Sequence, residues 1–157
     1  MALVALVIGA AVSAAATERV TLSLVLTSAL AWAFVPVIQL GTGCWLVRSA
    51  APGRRVRALE RYFATHPPWS MFILGFHAVL LGWPPARGYA LFLLPLIAIP
   101  IALTVRALTS LCREVLGMPA GRARRAVAIH QGMTYAVFLA YAAWASAYVP
   151  RVVGLFP

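Results

Sequence analysis

Ten of the thirteen arginines fall in two stretches, 48–69 and 106–125, and each stretch separates long apolar runs. This spacing restricts the chain more than any local motif does. Charge at the ends of apolar segments, with almost none inside them, is the pattern of a protein whose solvent is lipid. Positive residues gather on the cytoplasmic side of such segments. The other three, Arg19, Arg87 and Arg151, stand singly at the opposite ends of the runs. Composition agrees. Hydrophobic residues make up 63% of the 157 and charged residues 10%, against about 45–50% and about 25% in soluble domains. A soluble fold of this size lacks the polar surface to cover so much apolar area. The net charge of +10 is therefore read as topology and headgroup contact, not as nucleic-acid binding.

Residues 1–16, MALVALVIGAAVSAAA, lack the basic n-region of a signal peptide. As a helix they reach ~24 Å, short of the ~30 Å hydrocarbon core, and read as a short first crossing. Thr17 is placed to cap the following helix, with Glu18 in its first turn. Residues 20–47 form the longest apolar run, with an expected kink at Pro36 and close helix contact at Gly41 and Gly43. Pro52-Gly53 makes a turn. The spacing then predicts an amphipathic helix over 56–65. Val56, Leu59 and Phe63 share a face at i, i+3, i+7. Arg57 pairs with Glu60. Such a helix is expected to lie flat in the headgroup plane, with the three apolar residues toward the acyl chains and Arg57 and Arg61 outward. His66-Pro67-Pro68 ends it.

Residues 69–83 follow as a short span with tryptophan at both ends, the aromatic-belt arrangement. Residues 84–88 turn to the other side. Residues 89–105 return with Pro95 and Pro100, whose freed carbonyls are expected to face protein or water. This helix continues past Arg106 to Gly117, a natural C′ residue. Arg122 opens the last helix, Pro150 ends it, and the apolar tail 151–157 is placed at the outer interface.

The fold class is therefore all-α: a polytopic transmembrane helix bundle in a single domain, 1–157. It has four spans, a short N-terminal fifth and a short cytoplasmic amphipathic helix. Loops 48–68 and 106–125 face the cytoplasm of a bacterial inner membrane, and the C-terminus lies outside. Arg54, Arg55, Arg57, Arg61, Arg122, Arg124 and Arg125 are the expected contacts to anionic headgroups.

Polar groups within the apolar runs are few, and intramembrane ionisable residues are functional candidates by default. Gln39, His77 and Gln131 read as interhelical hydrogen-bonding groups. His77 and His130 are also the weak candidates for a cofactor site, either as bis-imidazole ligands of haem b or in a quinone-binding redox subunit. Their depths differ by ~5–10 Å, which opposes the pairing. A small-solute transporter or channel component is a further alternative, from His77 and the proline-broken helix. The two thiols, Cys44 and Cys112, do not make a zinc site and read as small apolar packers. The carboxylates are Glu18, Glu60 and Glu114, and no two are paired for acid–base work. Nucleotide-binding loops, zinc-protease motifs and nucleophile elbows are absent from the sequence. The reading is a non-enzymatic subunit or scaffold with no catalytic or metal site. Its partners are an anionic bilayer and other membrane subunits, or further copies of itself.

Residues 89–150 carry an apolar helix, then an inner loop around Leu116-Gly117, Gly121 and the arginines of 122–125. A helix bearing His130 and Tyr135 follows and closes at Pro150. With the five apolar segments, this pattern resembles bacterial members of the Yip1-type family, although the loop carries fewer glycines than that family's. The resemblance implies a multi-spanning scaffold without known catalytic residues, so it transfers no site.

Overall fold

A computed structural model describes residues 7–11, 21–22, 25–26, 32 and 34–153. Every regular element among them is helical and no strand occurs. Helix α1 is Phe34–Val47, α2 is Arg55–Phe63 and α3 is Pro67–Gly82. A 3-10 stretch, Pro84–Tyr89, a helical turn, Ala90–Leu93, and a second 3-10 turn, Leu94–Ile97, lead into α4, Ala98–Ser110. A π turn, Leu111–Val115, extends α4, and α5 is Ala120–Val153. Residues 7–11 are helical. The rest of the expected N-terminal span, the Thr17 cap, Arg19 and the tail beyond Val153 lie outside the described residues. Among those described, one helix, Pro95–Val115, is long and apolar enough to cross a membrane, and Phe34–Val47 is apolar but shorter.

The breaks follow local chemistry. Two prolines open α3, where their missing N–H groups cost nothing. Thr65 closes α2 by donating its hydroxyl to the Tyr62 carbonyl at 2.7 Å. Gly117 takes a φ of 64°, the left-handed conformation that side chains resist, and Met118 N–H then donates to the Cys112 carbonyl at 2.9 Å. In the proline-broken segment, residues 95–99 are exposed and Pro100 is buried. Pro100 has no N–H to offer the Leu96 carbonyl one turn back, and in the 3-10 turn the Ala98 N–H reaches that carbonyl and the one of Pro95. Helix α5 also runs three residues past Pro150. Near a helix end a proline removes one backbone bond and need not stop the helix.

The buried cluster sits at the arginine-rich end. It joins Leu46 and Val47 of α1, Ala58 and Tyr62 of α2, Leu108, Leu111 and Cys112, and Ala123 and Val127 of α5. Helix α2 is where it was expected, but its orientation differs. Ala58 and Tyr62 are its buried residues, Leu59 and Phe63 pack against the same protein cluster, and Val56 alone of the expected trio stands exposed. The cause is the i, i+4 pair: alanine lets the helix approach closely and the tyrosine ring fills the junction.

Candidate functional site

The junction is built from three helices. Gly43 of α1 has no side chain, so the Tyr62 ring lies directly against the α1 backbone. A Cβ at Gly43 would stand 2.6 Å from Tyr62 Cε1 and 2.7 Å from Cδ1. The Tyr62 hydroxyl then reaches Thr42 Oγ1 at 3.1 Å and His130 Nε2 of α5 at 2.8 Å. Proton directions follow by elimination. Thr42 Oγ1 lies 2.8 Å from the Ile38 carbonyl, which only accepts, so Thr42 spends its hydrogen there. Toward Tyr62 it must accept. Tyr62 therefore donates to Thr42, and its oxygen accepts from His130 Nε2–H. His130 is neutral in this chain of bonds, with its hydrogen on Nε2. Its Nδ1 is buried without a protein partner.

A second histidine joins from the α2–α3 turn. The His66 ring centroid lies 4.7 Å from that of Tyr62 and 6.5 Å from that of His130. His66 Nδ1 is 3.1 Å from the Tyr62 carbonyl and 3.2 Å from Thr65 Oγ1. Thr65 already donates to that carbonyl, so His66 donates from Nδ1. Burial pushes the Tyr62 phenol up to about 12, with the Thr42 hydrogen bond pulling the other way. Burial also lowers His66 below its ordinary 6.5, against the opposing pull of the Tyr62 carbonyl. At neutral pH both side chains are uncharged. Beside them a cavity of about 300 Å³ is lined by Gln39, Phe63, His66, Trp69 and Ser70 among others. Among the described residues, no carboxylate bonds to this junction. What it does chemically is hold α2 to α1 and α5 through a directional polar chain.

The expected site residues divide. His130 lies in the junction, but the ring that meets it is His66, not His77. His77 lies eleven residues further along α3, roughly 16 Å at ~1.5 Å per residue. Its Nδ1 donates to the Ile73 carbonyl of its own helix at 2.8 Å. The carbonyl one turn back is simply the nearest acceptor. His77→Ala is accordingly expected to cost about 0.5–1.5 kcal/mol, read by denaturant unfolding in detergent. A loss above 3 kcal/mol would show that His77 has a role outside α3. Gln39 lines the cavity, and Gln131 Nε2 is buried without a hydrogen-bond partner among the described residues.

Arg55 closes the end of α1. Its guanidinium donates to the Ala50 and Arg48 carbonyls at 3.2 and 3.3 Å, the acceptors left open where α1 ends. Arg54, Arg55, Arg57, Arg61, Arg122, Arg124 and Arg125 are all exposed, and Arg122 and Arg125 also line a cleft. Cys44 is exposed and Cys112 buried, both as free thiols. Thr42, Tyr62 and His66 were missed in the sequence. The one local signal was Gly43, whose expected close contact turns out to be with a ring 19 residues away.

No family model matches the chain, and no curated protein or solved structure matches it.

Proposed function

We propose that the chain is a non-enzymatic, multi-spanning subunit or scaffold of a bacterial inner membrane that packs against other membrane proteins. One observation carries this reading. Burial is concentrated at the arginine-rich end, while beyond it the helices turn large apolar side chains outward. Helix α3 has no buried residue, and Met71 and Phe92 are 73% and 79% exposed. Apolar surface of this extent marks contact with lipid or with partner helices. Four spans over 20–47, 69–83, 89–105 and 122–149 accommodate it, with a fifth over 1–16. Loops 48–68 and 106–125 then face the cytoplasm, since they hold ten of the thirteen arginines. The resemblance of 89–150 to Yip1-type proteins points toward the same scaffold role.

Cysteine labelling in intact cells tests the topology, in a background with Cys44 and Cys112 replaced by serine. Ala50→Cys and Ala120→Cys are expected to resist an impermeant maleimide, while Arg87→Cys reacts. Reaction at Ala50→Cys before the membrane is opened reverses the orientation. A photoreactive side chain at Met71 tests the subunit reading. It is expected to yield a protein adduct of defined mass, and adducts with lipid alone count against a partner.

A further inference from the structure

The second cleft, about 170 Å³, lies where the end of α1 meets the start of α5. Arg48, Arg122 and Arg125 line it together with Trp45, Met118 and Ile129, and no carboxylate does. Three like charges around one small cleft repel each other. Their placement on α5 makes this worse. A helix N-terminus carries a partial positive charge that favours acidic residues, yet the first turn of α5 has none, and Arg122 and Arg125 stand within its first two turns. Of the three, Arg48 is nonetheless held in place. Arg48 lies over the Trp45 ring, 5.2 Å from its centroid, and Arg55 ties down the Arg48 carbonyl. Fixed, uncompensated positive charge beside an apolar wall is the complement of an amphipathic anion.

We propose that this cleft binds the phosphate group of one acidic glycerophospholipid. Arginine suits the task because its planar fork meets phosphate oxygens two at a time. The exposed N–H groups at the start of α5 add to the field. The apolar wall selects a lipid over a free phosphate. From Arg125 the face of α5 continues at four-residue spacing through Ile129, Met133 and Val137, all exposed apolar side chains. At ~1.5 Å per residue this track runs roughly 18 Å, close to the ~15 Å depth of one leaflet. On the other side α1 runs antiparallel to α5, with Phe34 stacked on Tyr141 at 3.8 Å between centroids. An acyl chain laid along the α5 track thus starts at the arginines and ends near the bilayer midplane. Arg48, absent from the expected headgroup contacts, becomes the central one.

The proposal rests on the membrane reading above, but its test is separate, since labelling reports sidedness and this experiment reports lipid class. The full chain is purified in detergent and titrated with phosphatidylglycerol, phosphatidylcholine or inorganic phosphate. Native mass spectra and the thermal midpoint are recorded. Phosphatidylglycerol is expected to stay bound as one molecule and raise the midpoint, while phosphatidylcholine does neither. Arg48→Gln, Arg122→Gln and Arg125→Gln are each expected to weaken retention about fivefold, from ~1 kcal/mol per arginine near an anionic surface. Arg124→Gln removes the same charge outside the cleft and is expected to change retention less than twofold. Equal losses at Arg124 and Arg125 would reduce the effect to general surface charge and overturn the site. Protection by inorganic phosphate equal to that by phosphatidylglycerol would overturn the lipid assignment.

Discussion

Replacing Gly43 with valine is expected to detach α2 from the rest of the protein. The first added carbon already meets the Tyr62 ring at 2.6 Å. That ring cannot swing aside cheaply, because it is fully buried and held at its hydroxyl from two sides. Overpacking of this kind costs about 1–3 kcal/mol. Losing both hydroxyl bonds adds about 0.5–1.5 kcal/mol each. Helix α2 has nine residues, too few to stay helical in water without its packing partner. Ala58→Cys, buried in the intact protein, is the reporter. Its thiol is expected to react with maleimide at least tenfold faster when Gly43→Val is present. Gly41→Val is the control, since a side chain there meets nothing within 4 Å. If both valines accelerate the reaction equally, the close approach at Gly43 is not what holds α2.

Tyr62 itself separates packing from hydrogen bonding. Tyr62→Ala is expected to cost about 3–5 kcal/mol, the range for truncating a buried aromatic. Tyr62→Phe keeps the ring and strands the His130 Nε2–H and the Thr42 oxygen, at about 1–3 kcal/mol. Adding His130→Leu to Tyr62→Phe should recover part of that loss, because removing both polar partners costs less than orphaning one. Denaturant midpoints in detergent compare the four proteins. A Tyr62→Phe protein as stable as the parent would mean that the polar chain contributes nothing and the ring alone holds the junction.

The parts of the fold legible in the sequence are those set by short-range chemistry. Gly117 could be read as a helix end because only glycine takes a φ of 64° cheaply. His66-Pro67-Pro68 marked the α2–α3 boundary for a comparable steric reason. The existence of α2 followed from its apolar spacing, but its rotation did not. Val56, Leu59 and Phe63 and the true buried pair, Ala58 and Tyr62, occupy neighbouring arcs of one short helix, centred about 100° apart. The choice between them is made by Gly43 and His130, 19 and 68 positions away, and local periodicity carries no such information. The π turn at Leu111–Val115 escaped for a similar reason. Its wider bonding, Leu116 N–H to the Leu111 carbonyl, is decided by how Leu111 and Cys112 pack in the core. Among the arginines, charge count could not separate Arg55, which bonds backbone carbonyls, from Arg48, which lines a cleft.

The bond between Tyr62 and His130 also sets an order of events during synthesis. Sixty-eight residues separate the two partners, and chains elongate at about 5–20 residues per second. Tyr62 therefore waits roughly 3–14 s after leaving the ribosome before the group that completes its bonding exists. Throughout that interval α2 has Thr42 and Gly43 beside it but lacks its third support. Newly made chains therefore hold this helix against α1 without its bond to α5, and the hydroxyl chain is completed only when α5 has been made.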